Sequence, residues 1–235
     1  MATTILLDLL EDQFEIPMDL RSLADFRAWA VSDSFPERGR IDYLDGRIEV
    51  DMSPEDLYCH GKVKTELVAV LWQRIKQRGL GDLYTDRARV SCPGAQLSVE
   101  PDLVFISEQS LATGRVRMVS KAGQEPGRYI ELEGPPELVV EIISDSSVKK
   151  DSQRLPAAYY QAGLEEYWLV DARKEPLLFR IHGRGPSSFE PVAADAEGYQ
   201  RSAVLGCRYR LDRRQTPQGR VAFDLLACEG SVSHG

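Results

Sequence analysis

The sequence predicts an α/β protein with a β-rich C-terminal part. Short runs rich in Val and Ile alternate with two long stretches whose apolar residues recur at helical spacing. After Gly183 the chain changes to brief apolar segments separated by turn residues, the pattern of an antiparallel β-structure. With 235 residues and 43% hydrophobic content the chain can bury a full core, and it reads as one domain.

Residues 1–39 read as an N-terminal helical segment, because Leu20, Leu23, Phe26, Trp29 and Ala30 share one face of a helix over 20–32. The core is expected over 40–182. It opens with a hairpin, since Asp45-Gly46 tolerates the positive φ of a tight turn between two strand-like runs. Ser53-Pro54-Glu55-Asp56 is helix-start chemistry, and a helix over 55–78 follows with Leu57, Val63, Leu67, Val70, Leu71 and Ile75 on its apolar side. Past Gly79 and Gly81 come strand-like runs at 82–85 and 87–90, then the apolar run 99–106. The interval 109–128, with Arg115, Arg117, Lys121 and Arg128, reads as a basic loop suited to a DNA backbone or simply to solvent. The run 136–144 is a second buried strand. Ser144 to Ser147 then opens a helix over 148–162, in which Pro156 marks a start or kink and Gly163 the end. Residues 166–171 form a third buried strand and 177–181 its partner. Residues 183–228 make a β-rich extension of the same domain, and 229–235 a flexible tail.

Composition narrows the function. A net charge of −8 and a pI near 5.1 argue against a protein that coats nucleic acid with a uniformly basic surface, although a local basic groove is compatible with both. No run is long and apolar enough for a membrane span and the first residues lack a basic leader, so a cytoplasmic protein without a membrane partner is expected. Cys59, Cys92, Cys207 and Cys228 have no C-x-x-C spacing, which points to reduced thiols rather than zinc.

Two acids stand out. Asp102 and Glu141 lie against or inside the apolar runs 99–106 and 136–144, where an unpaired carboxylate is costly. Each needs a cation, a donor network or a metal. A hard ion such as Mg²⁺ is commonly held by one or two carboxylates together with water and phosphate oxygens. Glu66, near the apolar stripe of the 55–78 helix, is the candidate to complete the shell or orient a water, with Glu55 the other possibility on that helix. Ordinary roles compete: Asp102 capping the turn after Pro101, and Glu141 paired with Lys150 or Arg154. His60 is either a base or ligand or a capping residue, while Tyr159, Tyr167 and Trp168 read as core.

The set Glu100-Pro101-Asp102-Leu103-Val104, the run 138–144, then Asp151, Tyr159, Gly163 and 166–171 resembles the Uma2 family of restriction-endonuclease-like proteins in the PD-(D/E)XK nuclease superfamily. Residues 44–47 and His60 also fit, and the resemblance covers roughly residues 40–181. It implies a mixed central sheet flanked by helices, Asp102 and Glu141 as metal-binding acids for Mg²⁺ or Mn²⁺, and hydrolysis of DNA phosphodiester bonds. The superfamily's lysine, two residues after the second acid, is here Ile143. Relatives that move it to the next helix place it four residues after the acid matching Asp151, and that residue is Leu155. Lys149, Lys150 and Arg154 are the candidate substitutes, arginine as a fixed cation only. A non-catalytic nucleic-acid-binding or interaction module that keeps the fold is the alternative, and hydrolysis of another phosphodiester or nucleotide a third. Edge strands in the C-terminal part make a homodimer plausible.

Overall fold

The computed structural model describes residues 4–9, 12–123 and 127–229. In chain order these form β1 (Thr4–Leu9), β2 (Asp12–Pro17), α1 (Leu23–Ala30), β3 (Arg40–Leu44), β4 (Arg47–Asp51), a π-helical turn (Leu57–Lys62) leading into α2 (Val63–Arg78), β5 (Gly81–Thr85), β6 (Arg89–Cys92), β7 (Leu97–Val99), β8 (Leu103–Ser107), α3 (Glu108–Thr113), β9 (Arg117–Ser120), β10 (Tyr129–Glu133) and β11 (Leu138–Ile142). A second π-helical turn (Lys150–Arg154) leads into α4 (Leu155–Ala162), followed by β12 (Glu166–Asp171), β13 (Leu178–Arg184), β14 (Phe189–Pro191), β15 (Gln200–Ser202), β16 (Cys207–Gln215) and β17 (Val221–Glu229).

The central sheet has the order β14-β13-β12-β11-β8-β5. It is mixed, because β11 runs parallel to β12 and antiparallel to β8. All five residues of β11 are buried, as expected for a strand covered on both faces. One face carries Leu103, Phe105, Leu138, Val140, Trp168 and Val170 against α2 and against Tyr209, Leu211, Phe223 and Leu225 of the C-terminal sheet β15-β16-β17. The other carries Val104, Ile106, Val139, Tyr167 and Leu169 against α4 and a second sheet of order β4-β3-β7-β6-β10-β9. Each fully buried aliphatic side chain in these layers contributes on the order of 2 kcal/mol of transfer free energy. At Gly81 the φ is +146° and a Cβ would lie 2.1 Å from the Ile106 carbonyl oxygen, so glycine is what lets β5 close against β8.

Several sequence expectations change. The N-terminal segment is not only helical, since β1 and β2 pair as a hairpin ahead of α1. The interval 109–128 is not a basic loop: α3 ends and β9 begins within it. Three of its cations pair with acids, Arg115 with Glu165, Arg117 with Glu133 and Lys121 with Asp33. Both long helices start later than their apolar spacing suggests, each behind a π-helical turn, and Pro156 falls in the first turn of α4, where its missing N–H costs nothing. The expected tail lies outside the described residues apart from Glu229, which ends β17. Among the described residues no helix is long and apolar enough to cross a membrane.

Candidate active site

The antiparallel register of β8 and β11 sets Leu103 opposite Val140. Carried one residue further, it sets Asp102 opposite Glu141, and cross-strand partners project to the same face. That face is the one bearing Val104, Ile106, Val139 and Ile143, so both acids stand in an apolar layer with 1% exposure each. Asp102 turns one oxygen back to the neighbouring strand, where its Oδ2 accepts the Ile142 N–H at 2.8 Å.

The surroundings of the two acids differ. Asp102 is ringed by basic groups: Arg40 of β3 donates to its Oδ1 at 2.9 Å, His60 Nε2 lies 3.2 Å from Oδ2, and Lys64 Nζ lies 3.7 Å from Oδ1. His60 and Lys64 sit one helical turn apart and share Glu55, at 2.8 and 3.1 Å. Burial works to raise the Asp102 pKa, but the His60 hydrogen bond and the Arg40 charge overcome it and hold the carboxyl well below the usual carboxylate range. Glu141 has no such ring. Tyr159 of α4 donates to its Oε1 at 2.6 Å, and burial together with the charges of Asp151 and Asp102 holds its pKa well above the ordinary value, against the opposing pull of Arg40.

Asp151, on the turn before α4, faces the same space. It is 1% exposed, its Oδ1 has no hydrogen-bond partner, and burial pushes its pKa up to about 6 despite Lys150 beside it. The adjacent Lys150 bonds Asp42 of β3, whose other oxygen accepts the Glu100 N–H at 2.9 Å. Burial lowers the Lys150 pKa, but the Asp42 carboxylate outweighs it, so the ammonium stays charged. Arg40, Asp42, Lys149, Lys150 and Arg154 line a cleft of about 610 Å³ that also takes in Ser146 and Ser147.

Of the candidate residues, Asp102, Glu141 and Lys150 come together. Arg154 reaches the rim of the cleft and pairs with Glu49 of β4. Lys149 is exposed on the same rim. Glu66 is carried elsewhere: its Oε1 accepts the Leu225 N–H of β17 at 2.9 Å, because it lies two residues from Lys64 and so faces nearly the opposite side of α2. Both usual lysine positions are closed to a cation, as Ile143 and Leu155 are 3% and 1% exposed in the apolar layer. Arg40, Asp42 and Asp151 were not singled out as site residues from the sequence. Arg40 and Asp42 sit two apart on β3, a same-face spacing that becomes informative only once β3 is known to abut β7 and the turn to Asp102.

The donor set suits a hard divalent ion. It consists of buried carboxylate oxygens with too few cations around Glu141 and Asp151, one of them an orphaned buried oxygen. Among the described residues no three His, Cys, Asp or Glu side chains converge as a complete ligand shell. An ion here would thus rest on the Asp102–Glu141 pair, with water and phosphate oxygens completing it.

A mixed sheet that presents two facing acids at the end of its central strands, with a lysine alongside, defines a restriction-endonuclease-like α/β protein. The sequence model of the Uma2 family, described as "Putative restriction endonuclease", matches residues 23–205, and the chain belongs to that family. A solved structure, described as a putative nuclease belonging to DUF820 from Anabaena variabilis, shares the fold with a TM-score of 0.56 at 15% identity, over 78% of this chain and 90% of that one. No curated protein matches the sequence.

Proposed function

We propose that this chain is a metal-dependent endonuclease that hydrolyses DNA phosphodiester bonds. The observation that carries this reading is the cross-strand pair Asp102 and Glu141, with Glu141 buried beside two further acids and short of positive charge, a setting that either a proton or a bound cation relieves. Asp102 and Glu141 would hold Mg²⁺ or Mn²⁺, which supplies an activated water and charge stabilisation at the phosphorus when bound. Lys150 takes the part of the absent motif lysine. Its Nζ is fixed by Asp42 at the mouth of the cleft and remains protonated, so it stabilises developing negative charge rather than abstracting a proton. Arg40 neutralises Asp102 and holds its orientation, and Tyr159 fixes the rotamer of Glu141. Lys149 and Arg154 give the cleft a basic rim for the flanking phosphates.

One observation favours a second reading, a nucleic-acid-binding module without cleavage: both oxygens of Asp102 already have protein partners. Titrating Mn²⁺ into the wild type by calorimetry, followed by cleavage assays on plasmid and single-stranded DNA, separates the two. Metal binding with cleavage, both lost in Asp102→Ala and Glu141→Ala, supports the nuclease. Metal or DNA binding without cleavage supports the module, and metal binding or cleavage unchanged in both variants removes the assignment of these acids.

A further inference from the structure

A second cavity, also of about 610 Å³, lies behind the candidate site, between the segment after α1 and the strands β6, β9 and β10. Phe35, Met118, Tyr129 and Ile130 are the large apolar side chains of its lining. Tyr129 and Ile130 are 49% and 38% exposed, an unusual placement for two adjacent large apolar side chains. The floor is polar but self-satisfied. There Arg89 is bonded to Glu100, while Glu131 takes Arg27 and the Ser91 hydroxyl. A ligand therefore gains little from the floor and much from the walls. The charged lining also includes Glu37, Asp86, Lys121, which is salt-bridged to the exposed Asp33, and Arg87, whose Nη2 donates to the Pro36 carbonyl at a long 3.4 Å.

The cavity is joined to the candidate site by one turn. Asp86 and Arg87, the first two of the three residues between β5 and β6, both line the cavity and both have positive φ, +23° and +61°, which residues other than glycine rarely adopt. Two strained residues in succession persist only where the surroundings hold them, and such strain gathers at ligand clamps. The Asp86 carboxylate receives Lys64 at 2.5 Å, the same lysine that faces Asp102, and the Asp86 N–H bonds the Asp102 carbonyl at 3.4 Å. Glu100, two residues before Asp102, is part of the cavity lining. An extended chain covers about 7 Å in that interval, a distance one nucleotide can bridge.

Two aromatic rings and two aliphatic side chains in the lining, the Arg87 guanidinium and a short path to the acid pair together describe a slot for a heteroaromatic ring attached to a phosphate. We propose that this cavity receives an unstacked nucleobase of the DNA strand bound at the candidate site, with Tyr129 stacking on the ring and Arg87 meeting its phosphate. The proposal rests on the nuclease reading and adds to it that the preferred substrate contains an unpaired nucleotide. Aromatic stacking needs no base identity, so the preference is for an unpaired base rather than for a sequence.

The test compares a fully paired fluorescent DNA duplex with the same duplex carrying one bulged 2-aminopurine, bound in Ca²⁺ in place of Mg²⁺ and read by anisotropy and by 2-aminopurine emission. The expected result is about tenfold tighter binding of the bulged duplex, within the range of one base–aromatic stack, with a change in emission. Tyr129→Ala and Ile130→Ser, both at exposed positions and checked by thermal melting, should each reduce that preference while leaving the affinity for paired duplex unchanged. Equal affinity of the wild type for the two duplexes overturns the base pocket and leaves the nuclease reading standing, as does a preference that survives both variants. Failure to bind either duplex overturns the nuclease reading and the pocket with it.

Discussion

The Oδ2 of Asp102 accepts the backbone N–H of Ile142 at 2.8 Å, so the carboxylate of one strand is also part of the neighbouring strand's hydrogen bonding. The acid that would bind a metal thus has a second task, and two substitutions separate them. Asparagine keeps an oxygen for the Ile142 N–H, whereas alanine leaves that buried donor without a partner. Asp102→Ala should be less stable than Asp102→Asn by about 1–3 kcal/mol in denaturant unfolding. Mn²⁺ affinity should fall at least about tenfold in both, since neither keeps the charge. Retained Mn²⁺ affinity in Asp102→Asn would contradict the placement of the ion.

Lys150 and Arg154 differ in what they are already bonded to. Lys150 is held by buried Asp42 beside Glu141, while Arg154 is tied to Glu49 at the rim. Lys150→Ala should lower the cleavage rate by about 10²–10³-fold, the cost of removing one preorganised donor. Arg154→Ala and Lys149→Ala should act mainly on DNA affinity and on its salt dependence, each by about one phosphate contact. Single-turnover rates and binding isotherms at several salt concentrations distinguish these outcomes. A larger rate loss in Arg154→Ala than in Lys150→Ala would reverse the assignment.

The parts of this site that follow from local pattern were legible in the sequence. Asp102 and Glu141 interrupt apolar runs, and such interruptions are visible without knowing any neighbour. The same holds for Tyr159, Tyr167 and Trp168 as core residues, each with 1% exposure or less. What escaped depends on pairing between distant segments. Arg40 and Asp42 look like ordinary strand residues until β3 is set against β7, and Asp151 looks like a helix-start acid until its turn is folded over β12, where Tyr167 donates to its carbonyl at 2.5 Å. The basic interval 109–128 is open in sequence between a DNA backbone and solvent, and the acids that pair with Arg115, Arg117 and Lys121, namely Glu165, Glu133 and Asp33, come from elsewhere in the chain.

Glu66 provides a check on that geometry. Its Oε1 supports the Leu225 N–H, which ties α2 to the C-terminal sheet. Glu66→Gln retains an acceptor and should unfold within about 0.5 kcal/mol of the wild type, as most partly exposed substitutions do. Glu66→Ala should lose about 1–2 kcal/mol, the scale of a hydrogen bond to a charged group. Neither should change the cleavage rate once the protein is folded. A rate loss of a hundredfold in folded Glu66→Gln would place this acid in the chemistry after all.

Cys92 lends itself to a test of the buried layer by pH. The thiol is 4% exposed, and burial is the main cause that pushes its pKa from the ordinary 9.0 up to about 12, with Arg27 opposing and Glu131 adding to the rise. Because the folded-state pKa is raised, the neutral thiol favours the folded state at all pH values below the unfolded pKa. Between about pH 9 and 12 the unfolded chain ionises Cys92 while the folded chain does not, so this contribution is lost progressively as pH rises, reaching on the order of 4 kcal/mol at the upper end. Cys92→Ala removes the titrating group and leaves a small cavity whose cost does not depend on pH. Guanidinium unfolding of both proteins at about pH 8 and about pH 10.5 should therefore show the wild type more stable at the lower pH and the gap shrinking by about 2 kcal/mol at the higher. A gap that stays constant across that interval would mean that Cys92 ionises equally easily in the folded chain, and that the layer between β6 and the Arg27–Glu131 pair is open to water.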